Sequence, residues 1–111
     1  MEQNYSLKIQ SKDESSVTVR FWSKKNIDLR ITDIKFFYNG QAMPKDIVQY
    51  VAVLLNNDYR CQTFDCPGQK VSECTSLNFI VKDVTSKTQH ALRLPLNGDL
   101  PVFTEMLFEG R

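Results

Sequence analysis

The chain has 111 residues, 41% of them hydrophobic and 24% charged, a composition that predicts a single globular domain over 1–111 and excludes a disordered chain. With 14 basic and 13 acidic side chains the formal net charge is +1, so no long-range field steers the protein to nucleic acid or anionic lipid. The longest apolar run, at 51–55, is far shorter than the roughly 20 residues of a membrane span, which is therefore excluded.

Alternating apolar and polar residues predict three strands in the first third of the chain. The first lies at about 5–10, the second at about 16–22, and a longer third at 27–38. The polar links at 11–15 and 23–26 are short enough for antiparallel hairpins. We therefore expect the three strands to form a meander.

The third strand contains a change of phase. Its apolar residues occupy odd positions up to Ile31 and even positions from Ile34 onwards. Because successive side chains of a strand point to opposite faces, this change predicts a bulge or a bend near Thr32-Asp33.

The segment PKDIVQYVAVLLNND, which begins at residue 44, contains the best helix candidate, over about 44–56. Pro44 suits the first helical position and Asp46 suits the positive end of the helix dipole. An apolar stripe at helical spacing is formed by Ile47, Tyr50, Val51, Leu54 and Leu55. The β-branched valines leave a buried strand as the alternative.

Period-two alternation returns after the helix candidate and predicts strands at 76–82 and 90–96, followed by an apolar segment at 100–110. We predict an α+β fold, in which an antiparallel sheet of six to seven strands carries one helix, about 44–56, across one face. The alternative is a β-sandwich in which 44–56 forms a strand or a crossing turn.

All three cysteines lie in the stretch RCQTFDCPGQKVSEC, residues 60–74. A disulfide between Cys61 and Cys66 would close a tight loop just before Pro67-Gly68. Bridges from Cys61 to Cys74 or from Cys66 to Cys74 are the alternatives, and each leaves one thiol over. A clamped tip loses less entropy when it meets a partner. The residues expected to contact a partner from this tip are Gln62, Phe64 and Asp65.

The same stretch gives little support to metal binding or catalysis. The spacing Cys-x4-Cys-x7-Cys lacks the paired ligands of structural zinc sites, and the only histidine, His90, is distant in sequence. That distance also leaves a cysteine nucleophile without an adjacent base. We expect no metal, no cofactor and no catalytic residue.

The segment CQTFDCPGQKV resembles the protruding loop of the vertebrate-lysozyme inhibitor family of bacterial periplasmic proteins. The resemblance covers about eleven of 111 residues, with matching positions at Cys61, Asp65, Cys66 and 69–71. It departs from the family at Phe64, where the family presents a histidine to lysozyme, in the missing flanking proline and in the extra Cys74. It illustrates what a clamped loop can do and implies no membership.

A second candidate for partner binding is Trp22, which strand phase places beside Arg20 on the side opposite the apolar residues. In simple hairpin register Arg20 would lie near Arg30 on the next strand. Aromatic residues with arginine are typical of binding hot spots, and they also stack on nucleic-acid bases. The alternative is a sheet packed on both sides, which would bury them.

The expected function is that of a small non-enzymatic protein-binding module, acting as an inhibitor, an immunity-type protein or an envelope accessory protein. Its binding surface would be the cysteine-clamped loop, 61–74, or the Trp22 face. The alternatives are a small cysteine-dependent enzyme and a cytoplasmic nucleic-acid-binding domain. The N-terminal MEQNYSLKIQ lacks the features of a signal peptide, and we expect a mature exported protein, periplasmic or extracellular, with a cytoplasmic location as the alternative.

Overall fold

One long strand, β2, which spans Ser16–Tyr38, organises the fold in the computed structural model. The other elements, in chain order, are β1 (Gln3–Lys12), β3 (Gln41–Ala42), β4 (Tyr50–Asp65), a 3₁₀ turn at Val71–Glu73, β5 (Ser76–Asp83), β6 (Thr88–Pro95) and β7 (Thr104–Glu109). The structure describes residues 3–42, 50–66, 68, 70–96 and 104–109.

All the described strands join in one antiparallel sheet with β2 near its centre. The sheet order is β6-β5-β2-β1-β7, and β3 and β4 pair with β2 in addition. Along one edge of β2 the partner is β4, from Ser16 opposite Asp65 to Thr32 opposite Tyr50. Along the other edge, β1 pairs with the first half of β2 and β5 pairs with the second half. The β2–β4 pair is therefore a long two-stranded ribbon on which two smaller strand pairs are mounted.

The ribbon bends so that its two halves enclose one core. A straight strand of the 23 residues of β2 would extend to about 75 Å, whereas the longest dimension of the molecule is 36 Å. The bend brings Phe79 of β5 onto the end of the ribbon, with its ring centroid 5.6 Å from that of Phe64 and 6.5 Å from that of Phe21. All three rings are buried. Burying them supplies part of the hydrophobic stabilisation that offsets the cost of ordering the strands.

The bend is concentrated at two irregular places in β2. The ladder with β5 shifts register between Thr32 and Lys35, and Asp33 between them has φ of 54°. The predicted bulge near Thr32-Asp33 is therefore confirmed. The ladder with β4 shifts register between Ser23 and Asn26, opposite Asn57, which has φ of 54°.

The hairpin predicted at 23–26 is wrong, and so is the three-stranded meander. The chain runs through this segment without turning, because Ser23 pairs with Asp58 and Asn26 pairs with Asn56 on the same partner strand. The polar residues that indicated a loop occupy a bulge at the bend. The two strands predicted on either side of 23–26 are consequently one strand.

The helix predicted over 44–56 is wrong for its second half, and residues 44–49 lie outside the described residues. The segment 50–56 belongs to β4, where Val51, Val53 and Leu55 pair with the buried apolar residues of β2. An extended strand points these three side chains to the same side, towards the core. The β-branched valines also favour the extended conformation. The strand alternative is therefore correct for 50–56.

The described part of the chain is a single domain and essentially all-β, with no α-helix of seven or more residues in it. Six strands of six or more residues and the two-residue β3 agree with the predicted number of strands. No helix within these residues is long and apolar enough to cross a lipid bilayer.

Candidate functional site

The outward side of the β2–β4 ribbon concentrates exposed apolar residues. Side chains at alternate positions of both strands point away from the core, and we call this surface the ribbon face. Five large hydrophobic residues are exposed in the described part of the chain, and four of them lie on the ribbon face: Trp22 (39%), Tyr50 (49%), Leu54 (62%) and Tyr59 (51%). The fifth, Val84, follows β5 and lies elsewhere. Each half of the ribbon face thus exposes large apolar side chains beside an arginine, a combination typical of binding hot spots.

The first half of the ribbon face is built around Trp22 and Tyr59, which are directly opposite each other in the ladder. The guanidinium of Arg20 lies over the Tyr59 ring, with Cζ 3.9 Å from the ring centroid. On its other edge Trp22 pairs with Ser6 of β1. A hollow of about 220 Å³ opens there, lined by Ser6, Leu7, Lys8, Arg20 and Trp22.

The second half of the ribbon face contains Tyr50, Leu54 and Arg30. The guanidinium of Arg30 donates to both carboxylate oxygens of Asp28 at 2.7 Å and also to the hydroxyl of Tyr50. These bonds lower the pKa of Asp28, and they raise that of Arg30 above its usual value, chiefly through Asp28. The charge of Arg30 is therefore balanced within the chain.

The surroundings of Trp22 are basic, although the whole chain is nearly neutral. Arg20 and Lys8 line the hollow beside Trp22, and the exposed Lys24 and Lys25 follow it along β2. In the ladder Lys8 pairs with Glu105 of β7. The nearest acidic residue on β4, Asp58, forms a 2.7 Å ion pair with Arg60. This half of the ribbon face therefore combines basic side chains with an apolar centre.

The sequence prediction for Trp22 and Arg20 placed both on the outward side of a strand, and the structure has them there. The alternative, burial under a second layer, does not hold for Trp22, which is exposed. The predicted proximity of Arg20 to Arg30 is wrong because both residues lie on β2. Their ladder partners are Cys61 and Ala52, at different places along β4.

The predicted loop over 61–74 is wrong for its first part, because 61–65 forms the end of β4. Phe64, expected at an exposed tip, is fully buried and stacks on Phe79. Gln62 is half-buried, and Asp65 is exposed at the last position of β4. Residues 61–65 therefore form part of a strand and not a protruding loop like that of the lysozyme inhibitors.

The three cysteines are not joined by a disulfide in this structure. Cys61 is exposed on the ribbon face, where its thiol donates to Oε1 of Gln10 at 3.6 Å. Cys66 and Cys74 are buried, and their sulfur atoms are 3.5 Å apart. The bridge considered first, from Cys61 to Cys66, is absent because the two side chains lie on opposite faces of the chain.

Three residues of the ribbon face, Tyr50, Leu54 and Tyr59, were not among the predicted site residues. Tyr50 and Leu54 were assigned to the apolar stripe of a helix. Alternation over 50–55 is hidden in the sequence because both phases contain apolar residues, with Val53 and Leu55 buried and Leu54 exposed between them. The aromatic and β-branched content of the segment was the available signal.

Within the described residues, no group of three His, Cys, Asp or Glu side chains is placed to hold a metal ion. Comparisons with protein-family models, with curated proteins and with solved structures give no match for this chain.

Proposed function

We propose that this chain is a non-enzymatic protein-binding module whose docking surface is the ribbon face, with Trp22 and Tyr59 at its centre. The observation that supports the proposal is the presence of four exposed large hydrophobic residues on one side of two paired strands. Tryptophan, tyrosine and arginine dominate the energetics of protein interfaces, and this face contains all three. We propose that such a module acts as an inhibitor, an immunity-type protein or an envelope accessory protein.

The partner proposed is a protein whose contact area carries carboxylates around apolar side chains. Arg20 and the lysines near Trp22 supply the complementary charge, and the hollow beside Trp22 accepts a side chain of the partner. Because the face is formed by paired strands rather than by a loop, little backbone entropy is lost on binding. The tyrosines beneath Arg20 and Arg30 hold both guanidinium groups over the sheet.

An exported location is part of the proposal. The support for it is that Cys66 and Cys74, whose sulfur atoms are 3.5 Å apart, are placed to form a disulfide, a bond that persists in oxidising compartments. A cytoplasmic protein would keep the same two thiols reduced.

The test uses the immobilised full chain and a lysate of the native organism, followed by titration with the purified partner. We expect Trp22→Ala and Tyr59→Ala each to weaken binding by about tenfold or more. Val84→Ala is the matched control, because Val84 is equally exposed but lies off the ribbon face. Equal binding by the wild type and both ribbon-face variants would overturn the proposal.

A titration with a single-stranded oligonucleotide in place of the protein partner separates protein binding from nucleic-acid binding. Exposed aromatic residues with arginine also stack single-stranded bases, and such binding is lost as salt rises. If an oligonucleotide binds the wild type at low salt and does not bind Trp22→Ala, the ribbon face would be assigned to nucleic acid instead.

A further inference from the structure

Cys66 and Cys74 occupy the two ends of a segment that is anchored to the rest of the fold. Cys66 follows β4, and its backbone N–H donates to the carbonyl of Ser15 at 2.8 Å. Cys74 follows the 3₁₀ turn, and its N–H donates to the carbonyl of Val71 at 3.0 Å. The N–H of Val71 in turn donates to the carbonyl of Glu14 at 2.9 Å. Both cysteines are thus held against the β1–β2 turn independently of each other.

The two sulfur atoms already touch. They are 3.5 Å apart, and a disulfide requires them to approach by about 1.5 Å more. Cys66 is 9% exposed and Cys74 is 1% exposed, so a reagent from solution reaches Cys66 first. Cys61 is excluded from this pair because its thiol lies on the ribbon face beside Gln10.

We propose that Cys66 and Cys74 form a reversible disulfide, and that Cys61 takes no part in this bridge. The proposed oxidant is a small disulfide such as oxidised glutathione. The Cys66 thiolate attacks one sulfur of this disulfide, which forms a mixed disulfide and releases one glutathione thiolate. The Cys74 thiolate then attacks the Cys66 sulfur and releases the second glutathione. Two cysteine S–H bonds and one glutathione S–S bond are replaced by one protein S–S bond and two glutathione thiols.

The bond would close the segment 66–74 covalently over the β1–β2 turn. Among the described residues of this segment, the contacts with the β1–β2 turn include backbone hydrogen bonds and the exposed 3.1 Å ion pair between Lys70 and Glu14, and none of them is covalent. The oxidised form should therefore resist local opening and proteolysis within 67–73 more than the reduced form does. This inference does not depend on the proposed docking role of the ribbon face.

The experiment equilibrates the purified folded chain in glutathione buffers that range from fully reduced to fully oxidised. The samples are quenched in acid, denatured, alkylated and analysed by intact mass and peptide mapping. In oxidising buffer we expect one cross-linked peptide that contains Cys66 and Cys74, with a loss of two hydrogens and of two alkylation adducts from that pair. Glutathione carried by the exposed Cys61 appears separately, as an added mass on its own peptide. Reduction should restore all three adducts.

Two variants identify the pair. Cys61→Ser should show the same loss of two adducts, whereas Cys74→Ser should lose none through an internal bridge and should carry glutathione on Cys66. Three adducts in every buffer, or a cross-linked peptide that contains Cys61, would overturn the proposal. If Cys74→Ser does not fold, the wild-type peptide map and Cys61→Ser still decide the outcome.

Discussion

The guanidinium of Arg20 lies 3.9 Å from the centre of the Tyr59 ring, across the ladder that joins β2 to β4. At this distance the positive charge is attracted by the electron-rich face of the ring. The contact orients both side chains. The exposed site limits its contribution to stability, because water screens the charge.

A double-mutant cycle on Arg20 and Tyr59 measures this contact directly. We expect Arg20→Ala, Tyr59→Ala and the double variant to give a coupling free energy of about 0.5–1 kcal/mol in urea unfolding. Arg93→Ala, which removes an exposed arginine on β6, serves as the comparison and should show no coupling to Tyr59→Ala. A coupling indistinguishable from zero for Arg20 would show that the stacking does not persist in solution.

Phe64→Ala is predicted to destabilise the fold strongly. Phe64 is fully buried and stacks on Phe79, so its truncation leaves a cavity and should cost about 3–5 kcal/mol in the free energy of unfolding. Its exposed neighbour provides the control, since Asp65→Ala should change stability by no more than about 0.5 kcal/mol. Chemical denaturation of both variants is the measurement. Similar small effects at both positions would place Phe64 at the surface.

Asp13 links the stability of the β1–β2 turn to pH. Its carboxylate accepts hydrogen bonds from the backbone N–H groups of Ser15 at 2.9 Å and Ser16 at 2.8 Å, and these bonds lower its pKa. A carboxyl group with a lower pKa in the folded chain stabilises it fully above the unfolded value of about 3.9. That contribution is lost as the pH falls through the folded pKa.

Urea midpoints measured at a series of acidic pH values test this link. Asp13→Asn keeps an oxygen acceptor at the same place but does not titrate, so its stability should fall less steeply with acid than that of the wild type. The pKa of Asp28 is also lowered, by Arg30, and Asp28→Asn should remove a separate part of the acid sensitivity. Identical pH profiles for the wild type and Asp13→Asn would contradict the prediction.

Oxidation of Cys66 and Cys74 is expected to raise the free energy of unfolding. The two residues are separated by eight positions, and closing so short a loop should contribute about 2–3 kcal/mol through the entropy of the unfolded chain. The comparison is between oxidised and reduced samples of Cys61→Ser, in which only one pair can form. A lower stability in the oxidised sample would mean that the bond strains the fold by more than it restrains the unfolded chain.

The position of Cys61 offers a test of the ribbon face that requires no change of the aromatic residues. Cys61 is exposed and lies opposite Arg20 in the ladder, so a bulky maleimide attached to it would cover the centre of the proposed docking surface. We expect labelling to abolish partner binding in the wild type. Treatment of Cys61→Ser with the same reagent should leave binding intact. Full binding by the labelled wild type would move the interface away from Cys61.

Alternation of apolar and polar residues correctly predicted the strands that have one face in the core and the other in solvent. The strands around Tyr5, Phe79 and Leu92 follow the pattern of one buried and one solvated face, and all three were found at their predicted places. The bulge at Asp33 was predicted as well, because a phase change is a local property of the sequence.

The errors concern features that depend on distant residues. Whether 23–26 turns or continues is decided by β4, which pairs with both sides of that segment from 30 or more positions away. The same pairing decides that 50–56 is a strand, since its apolar residues meet those of β2 only in the folded chain. Phe64 was misplaced for the related reason that its stacking partner, Phe79, belongs to another strand.

The central position of β2 has a consequence for how the chain folds. The strands β1, β3, β4 and β5 all hydrogen-bond to it, and β6 and β7 reach it only through β5 and β1. Its longest ladder begins with Ser16 opposite Asp65, so the chain must close a long loop before these strands can form stabilising contacts. Formation of the sheet should consequently be slow, in the range of about milliseconds to seconds. It should also be concerted, because each strand pair that excludes β2 contains only part of the core.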